Sequence, residues 1–101
     1  MIEVRQTEGF ADWLDASRDS TAVKAIKRRI ARVQVGLFGD AKFIGGRVHE
    51  LRIDLGTGYR VYFARRGESL ILLLCGGDKG SQARDIALAQ SLADRWMEGF
   101  R

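Results

Sequence analysis

The 101-residue chain predicts a single α+β domain spanning residues 1–101, with a helical hairpin packed on a mainly antiparallel sheet in the order β-α-α-β-β-β-α. Three observations predict it. Two consecutive stretches in the first third repeat their apolar residues at helical spacing. Between residues 47 and 75 two stretches alternate at strand spacing and a third is a short, near-continuous apolar run, the three separated by glycine turns. A last stretch returns to helical spacing.

Ile2 and Val4 alternate with charged neighbours, as in a short half-buried strand. From about Glu8 to Ala16, Phe10, Trp13 and Leu14 share a helix face. Asp19 and Ser20 interrupt the pattern, and Ser20 or Thr21 is placed to cap the next helix. That helix, about Thr21 to Val35, sets Val23, Ile26, Ile30 and Val33 on one side. Lys24, Lys27, Arg28 and Arg32 fall on the other side or its flanks, and Gly36 is a natural stop. Leu37 to Gly46, rich in glycine, is expected to be a loop.

Arg47 to Asp54 alternates. His49, Leu51 and Ile53 share one face, and Val48, Glu50, Arg52 and Asp54 the other. Gly56-Thr57-Gly58 is a turn signal. Tyr59 to Arg65 follows, with Tyr59, Val61 and Phe63 toward the core and Arg60 and Tyr62 opposite. The near-continuous apolar run of Ser69 to Cys75 predicts a strand buried on both faces. Gly76-Gly77 is expected to end it, delivering Asp78 and Lys79 into a turn. A closing helix from about Ser81 to Phe100 carries Ile86, Ala89, Leu92, Ala93, Trp96 and Phe100 at helical spacing.

The composition, 46% apolar and 30% charged, is that of an ordinary folded domain. Cys75 is the only cysteine, so no intramolecular disulfide forms, and its place in an apolar strand predicts a buried thiol. One histidine and one cysteine do not make a metal site, and no metal or other cofactor is expected. No apolar run reaches the length of a membrane span, and no signal peptide is recognisable, so a cytoplasmic location without membrane partners is expected. The net charge of +4 favours a polyanionic partner such as nucleic acid, the ribosome or an acidic protein.

Strand parity gathers candidate site residues. Arg52 and Arg60 lie on neighbouring strands and on the face opposite Leu51, Ile53, Val61 and Phe63. Like charges so placed repel unless solvent or an anion separates them. Lys79, leaving the adjacent strand, is expected to join them. Lys42, Arg47 and Arg84 extend the basic surface, and Tyr62 offers a face on which a base would stack. Glu50 shares the parity of Arg52 and Arg60, as a candidate base or as their ion-pair partner. Asp85, in the first turn of the closing helix, is expected to be exposed and to complement the helix dipole. His49 has the opposite parity and, like Trp13 and Trp96, belongs to the core.

Three segments taken together, Val48-His49-Glu50-Leu51-Arg52-Ile53-Asp54, Gly58-Tyr59-Arg60-Val61-Tyr62-Phe63 and Leu72-Leu73-Leu74-Cys75-Gly76-Gly77-Asp78-Lys79-Gly80-Ser81-Gln82, resemble the RelE/ParE superfamily of bacterial type II toxin–antitoxin toxins. The likeness is to the HigB-like branch of addiction-module killer proteins and covers nearly the whole chain. It implies a RelE-like fold and a toxin that cleaves messenger RNA on the translating ribosome, without metal, by attack of a ribose 2′-hydroxyl. Arg60 is then expected to hold the phosphate and stabilise transition-state charge, Lys79 to lie near the scissile phosphate or leaving group, and Arg52 to supply a further basic position. A cognate antitoxin that neutralises the toxin in a hetero-oligomer is the implied partner.

The sequence departs from the family where some ribonuclease members carry a tyrosine or histidine early in the closing helix; here the residues are Gln82-Ala83-Arg84-Asp85-Ile86. Two other readings of the same resemblance therefore stay open. One is a ParE-like inhibitor of DNA gyrase, and the other a catalytically inert antitoxin-binding relative.

Overall fold

The computed structural model describes residues 1–98. Its order is β1 (Glu3–Gln6), α1 (Glu8–Ala16), α2 (Ser20–Gln34), β2 (Ala41–Gly45), β3 (Val48–Ile53), β4 (Tyr59–Arg66), β5 (Leu70–Asp78), a 3-10 turn (Lys79–Ser81) and α3 (Gln82–Glu98). The fold is α+β, with a mixed five-stranded sheet ordered β1-β5-β4-β3-β2. β1 runs parallel to β5, and the other neighbours are antiparallel. Phe100, expected in the closing helix, lies outside the described residues.

Helices cover both faces of the sheet. Phe10 and Leu14 of α1 and Ile26 and Val33 of α2 pack with Leu51, Ile53, Val61, Phe63, Ile71 and Leu73. On the other face α3 brings Ala89 and Ala93 against Val48, Tyr62, Ala64, Leu72, Leu74 and Cys75. The predicted hairpin therefore stands on one face as expected, while the closing helix buries much of the face expected to be open. Thr7 caps α1 by accepting from the Phe10 N–H at 3.0 Å. Asp19, rather than Ser20 or Thr21, caps α2 by accepting from Ala22 N–H at 3.0 Å.

Two departures from the predicted elements have local causes. The segment expected to be a loop contains β2, which pairs with β3 from Ala41↔Leu51 to Gly45↔Val48. Arg29 of α2 draws it there, donating to the carbonyl oxygens of Phe38, Asp40 and Arg52. One side chain thus satisfies three backbone acceptors at the junction of α2, β2 and β3.

The glycine pair is the second departure, because β5 runs through it to Asp78. Across β4, Tyr62 faces Cys75 but Phe63 faces Leu73, so β5 carries a bulge at Leu74. Leu74 and Cys75 both join the α3 core, and beyond them the faces alternate again. A Cβ on Gly76 would sit 2.3 Å from the Trp13 ring, and one on Gly77 would sit 1.9 Å from the Asp85 carboxylate. Close approach of α1 and α3, rather than a turn, requires these glycines.

Gly77→Ala is therefore expected to displace Asp85 and lower stability by about 1–3 kcal/mol. Urea unfolding measures this, and an unchanged midpoint would contradict the packing account.

Candidate functional site

The ends of β3 and β4, the turn between them and the start of the 3-10 turn enclose a polar cleft of about 330 Å³, lined by Asp40, Arg52, Asp54, Gly56, Thr57, Gly58, Arg60 and Lys79. Arg52 and Arg60 are direct cross-strand partners. Lys79 is exposed at the end of β5, and its backbone N–H donates to Gly58 O at 3.1 Å. Asp78 fixes this corner by accepting from the Gly80 and Ser81 N–H groups at 2.8 and 3.1 Å. Structure therefore brings Arg52, Arg60 and Lys79 together as parity predicts.

Glu50 lies beneath the cleft floor. Its side chain is 3% exposed, and Oε1 sits 3.3 Å from Arg60 Nε and 3.7 Å from Arg52 Nε. Gln82 at the start of α3 donates to Oε2 at 3.0 Å. Of the two roles expected for Glu50, the geometry shows the ion pair. The Arg60 side chain is 13% exposed, whereas Arg52 is 39% exposed and also meets Asp40 at 3.4 Å.

None of the remaining candidates lines the cleft. Tyr62 is fully buried under α3, which corrects its expected role as a stacking surface. Its hydroxyl has no hydrogen-bond partner, and burial together with the Glu50 and Asp85 charges raises its pKa well above the usual tyrosine value. Lys42 is exposed on β2, in register with Glu50. Arg47 stands in the β2–β3 turn with φ of 68°. It lies five residues before Arg52, about 16 Å along the strand. Arg84 is exposed on α3, with Nε 4.0 Å from Asp85.

Asp85 is buried, contrary to the exposed place expected of it, and accepts a short hydrogen bond from the Ser81 hydroxyl. Burial, then the Asp85 charge, pushes the Cys75 thiol up to about 12, as suits the buried structural cysteine expected. His49 packs on the α1–α2 side, stacked on Phe63 at 5.1 Å.

Asp54 and Asp40 line the cleft but were not among the expected site residues. Asp54 shares the parity of Glu50 and Arg52, which is the signal that places it there. Asp40 sat in a glycine-rich segment with no readable period. No cluster of three or more His, Cys, Asp or Glu side chains suited to a metal ion occurs among the described residues. No described helix is long and apolar enough to cross a membrane.

A Haemophilus influenzae protein described as uncharacterized is 45% identical to this chain over 92 residues, covering 91% of the chain and 93% of the relative. The chain belongs to the family of that Haemophilus protein. No protein-family model matches the sequence. Shared sequence across nearly the full length of both members makes one common fold the expectation for this family.

Burial, then the Arg65 charge, lowers the pKa of His49. The unfolded chain therefore binds a proton at this residue more readily than the folded one. His49 is expected to cost no stability above about pH 6.5, and to cost progressively more as pH falls toward its lower folded value. Comparing the pH dependence of unfolding in His49→Phe and wild type measures this. An identical acid-side slope would exclude the assignment.

Proposed function

We propose that this protein is the toxin of a type II toxin–antitoxin pair, with a RelE-like fold of the HigB branch. It acts in the cytoplasm as an endoribonuclease on messenger RNA at the translating ribosome, and a cognate antitoxin neutralises it. The observation that carries this reading is the convergence of Arg52, Arg60 and Lys79 on one cleft. The three segments that resemble the toxin superfamily supply all three of these cations.

The chemistry follows from the charges. A ribose 2′-oxygen attacks the adjacent phosphorus, the bond from phosphorus to the 5′-oxygen breaks, and a 2′,3′-cyclic phosphate forms. Negative charge grows on the phosphoryl oxygens along the way. Arg60, held from behind by Glu50, and exposed Lys79 offer fixed cations to that charge. Guanidinium groups stay protonated and do not accept the 2′-hydroxyl proton. Glu50 is enclosed by its ion pairs, so Asp54, an exposed carboxylate lining the cleft, is the better placed acceptor. The 5′-oxygen takes its proton from Lys79 or from water.

Arg60→Ala and Lys79→Ala are each expected to reduce message cleavage on ribosomes by about 10²–10³-fold and to relieve growth arrest. Circular dichroism checks that each variant stays folded. A folded double variant that remained fully toxic would overturn the reading, as would inhibition of gyrase supercoiling with messages left intact.

Asp54→Asn is expected to lower turnover by about 10²–10⁴-fold. A folded variant with wild-type turnover would return the base role to another group.

A further inference from the structure

The cleft has no net charge of its own. Arg52, Arg60 and Lys79 are matched by Asp40 and Asp54 on its walls and by Glu50 beneath its floor. The net charge of +4 must therefore be carried elsewhere. α1 is acidic, with Glu8, Asp12 and Asp15 and no basic residue. α2 holds five basic residues and no acidic one.

Helical geometry sorts the α2 cations. At about 100° per residue, with Ile26 facing the core, Lys24 and Arg28 lie about 20° to either side of straight outward, Lys24 on the α1 side where it lines a groove with Asp15 and Lys27. Lys27 leans toward α1, where it shares a groove with Asp15. Arg32 leans to the opposite side, the side on which Arg29 holds the Arg52 and Asp40 carbonyls. Lys24, Arg28 and Arg32 form one row about 12 Å long. All three are exposed, and none has an ion-pair partner among the described residues. The helix is anchored beside the cleft end of the sheet, because its cap Asp19 accepts from the Tyr59 hydroxyl and Arg29 donates to Arg52 O.

We propose that this row docks on the phosphate backbone of double-stranded RNA, as a second contact outside the cleft; the choice of RNA rests on the reading under Proposed function. Such a backbone asks only for spaced cations. A protein partner would want aromatic or aliphatic anchors, and a membrane would want an apolar face. Between the cations the outward positions are Thr21 and Ala31, and the exposed aliphatics Val35 and Leu37 lie beyond the row at its Arg32 end.

The test compares wild type with K24Q/R28Q/R32Q by fluorescence anisotropy on a short mixed-sequence RNA duplex at about 50–200 mM salt. Loss of three phosphate contacts is expected to flatten the log–log salt dependence by about 2.7. Wild-type affinity then falls about 40-fold more than the variant's over that range. Lys27→Gln, turned toward α1 about 60° around the helix from Lys24, is expected to stay close to wild type. A triple variant with the wild-type slope would overturn the proposal. So would a defect confined to binding polyglutamate.

Failure here is separable from failure of the proposed function. Message cleavage lost in Arg60→Ala with an unchanged α2 slope would sink only the docking surface. A flattened slope in a protein that cleaves no message would sink only the endoribonuclease.

Discussion

The buried carboxylate of Glu50 is the constraint on which the site depends. Arg52 and Arg60 stand directly opposite one another on paired strands. Two like unit charges held about 5 Å apart repel by about 3 kcal/mol at an effective dielectric near 20, and at greater separation by less. Each attraction to a carboxylate at about 3.5 Å is worth about 5 kcal/mol on the same scale, so the two attractions outweigh the repulsion. Desolvation takes back much of that gain, and such a cluster is poor evidence for stability. Its consequence is positional. Arg60 is held at the cleft floor, largely withdrawn from solvent, before any ligand arrives.

That arrangement needs α3 in place, and α3 needs β5 to be irregular. Gln82 completes the hydrogen bonding of Glu50 from the first turn of the helix. The turn sits close enough because Gly77 leaves room for Asp85, and Gly77 faces Asp85 because of the bulge at Leu74. The same strand that seats Trp13 on one side therefore admits α3 on the other. The helix covers Tyr62 and stops short of the strand ends, where the cleft opens.

Period-two alternation was enough to bring Glu50, Arg52 and Arg60 onto one face, because a strand allows only two choices for each side chain. It also held His49 to the other face. What it does not convey is which face a distant helix covers, so the sequence leaves Tyr62 open where α3 buries it, and Asp85 exposed where Gly77 makes room for it. The glycine pair is ambiguous for a related reason. Glycine marks turns and close approaches alike, and only the positions of Trp13 and Asp85 tell them apart. β2 carries no readable period of its own, and the segment leading into it is held from outside by Arg29 of the preceding helix.

The two ionic surfaces divide the work that a protein acting on a polyanion must do. Chemistry favours cations that are already immobile, and carboxylates such as Glu50 make them so at the cost of cancelling their field. Attraction over distance depends on net charge, which the cleft lacks. An entering phosphate meets Lys79 first, since it is exposed, and must then compete with Asp40 for Arg52. That exchange is nearly balanced locally, so affinity has to be supplied by unpaired charge nearby. The row on α2 is such charge, joined to the cleft through Arg29, and its separation from the paired cations lets one surface attract while the other stays ordered.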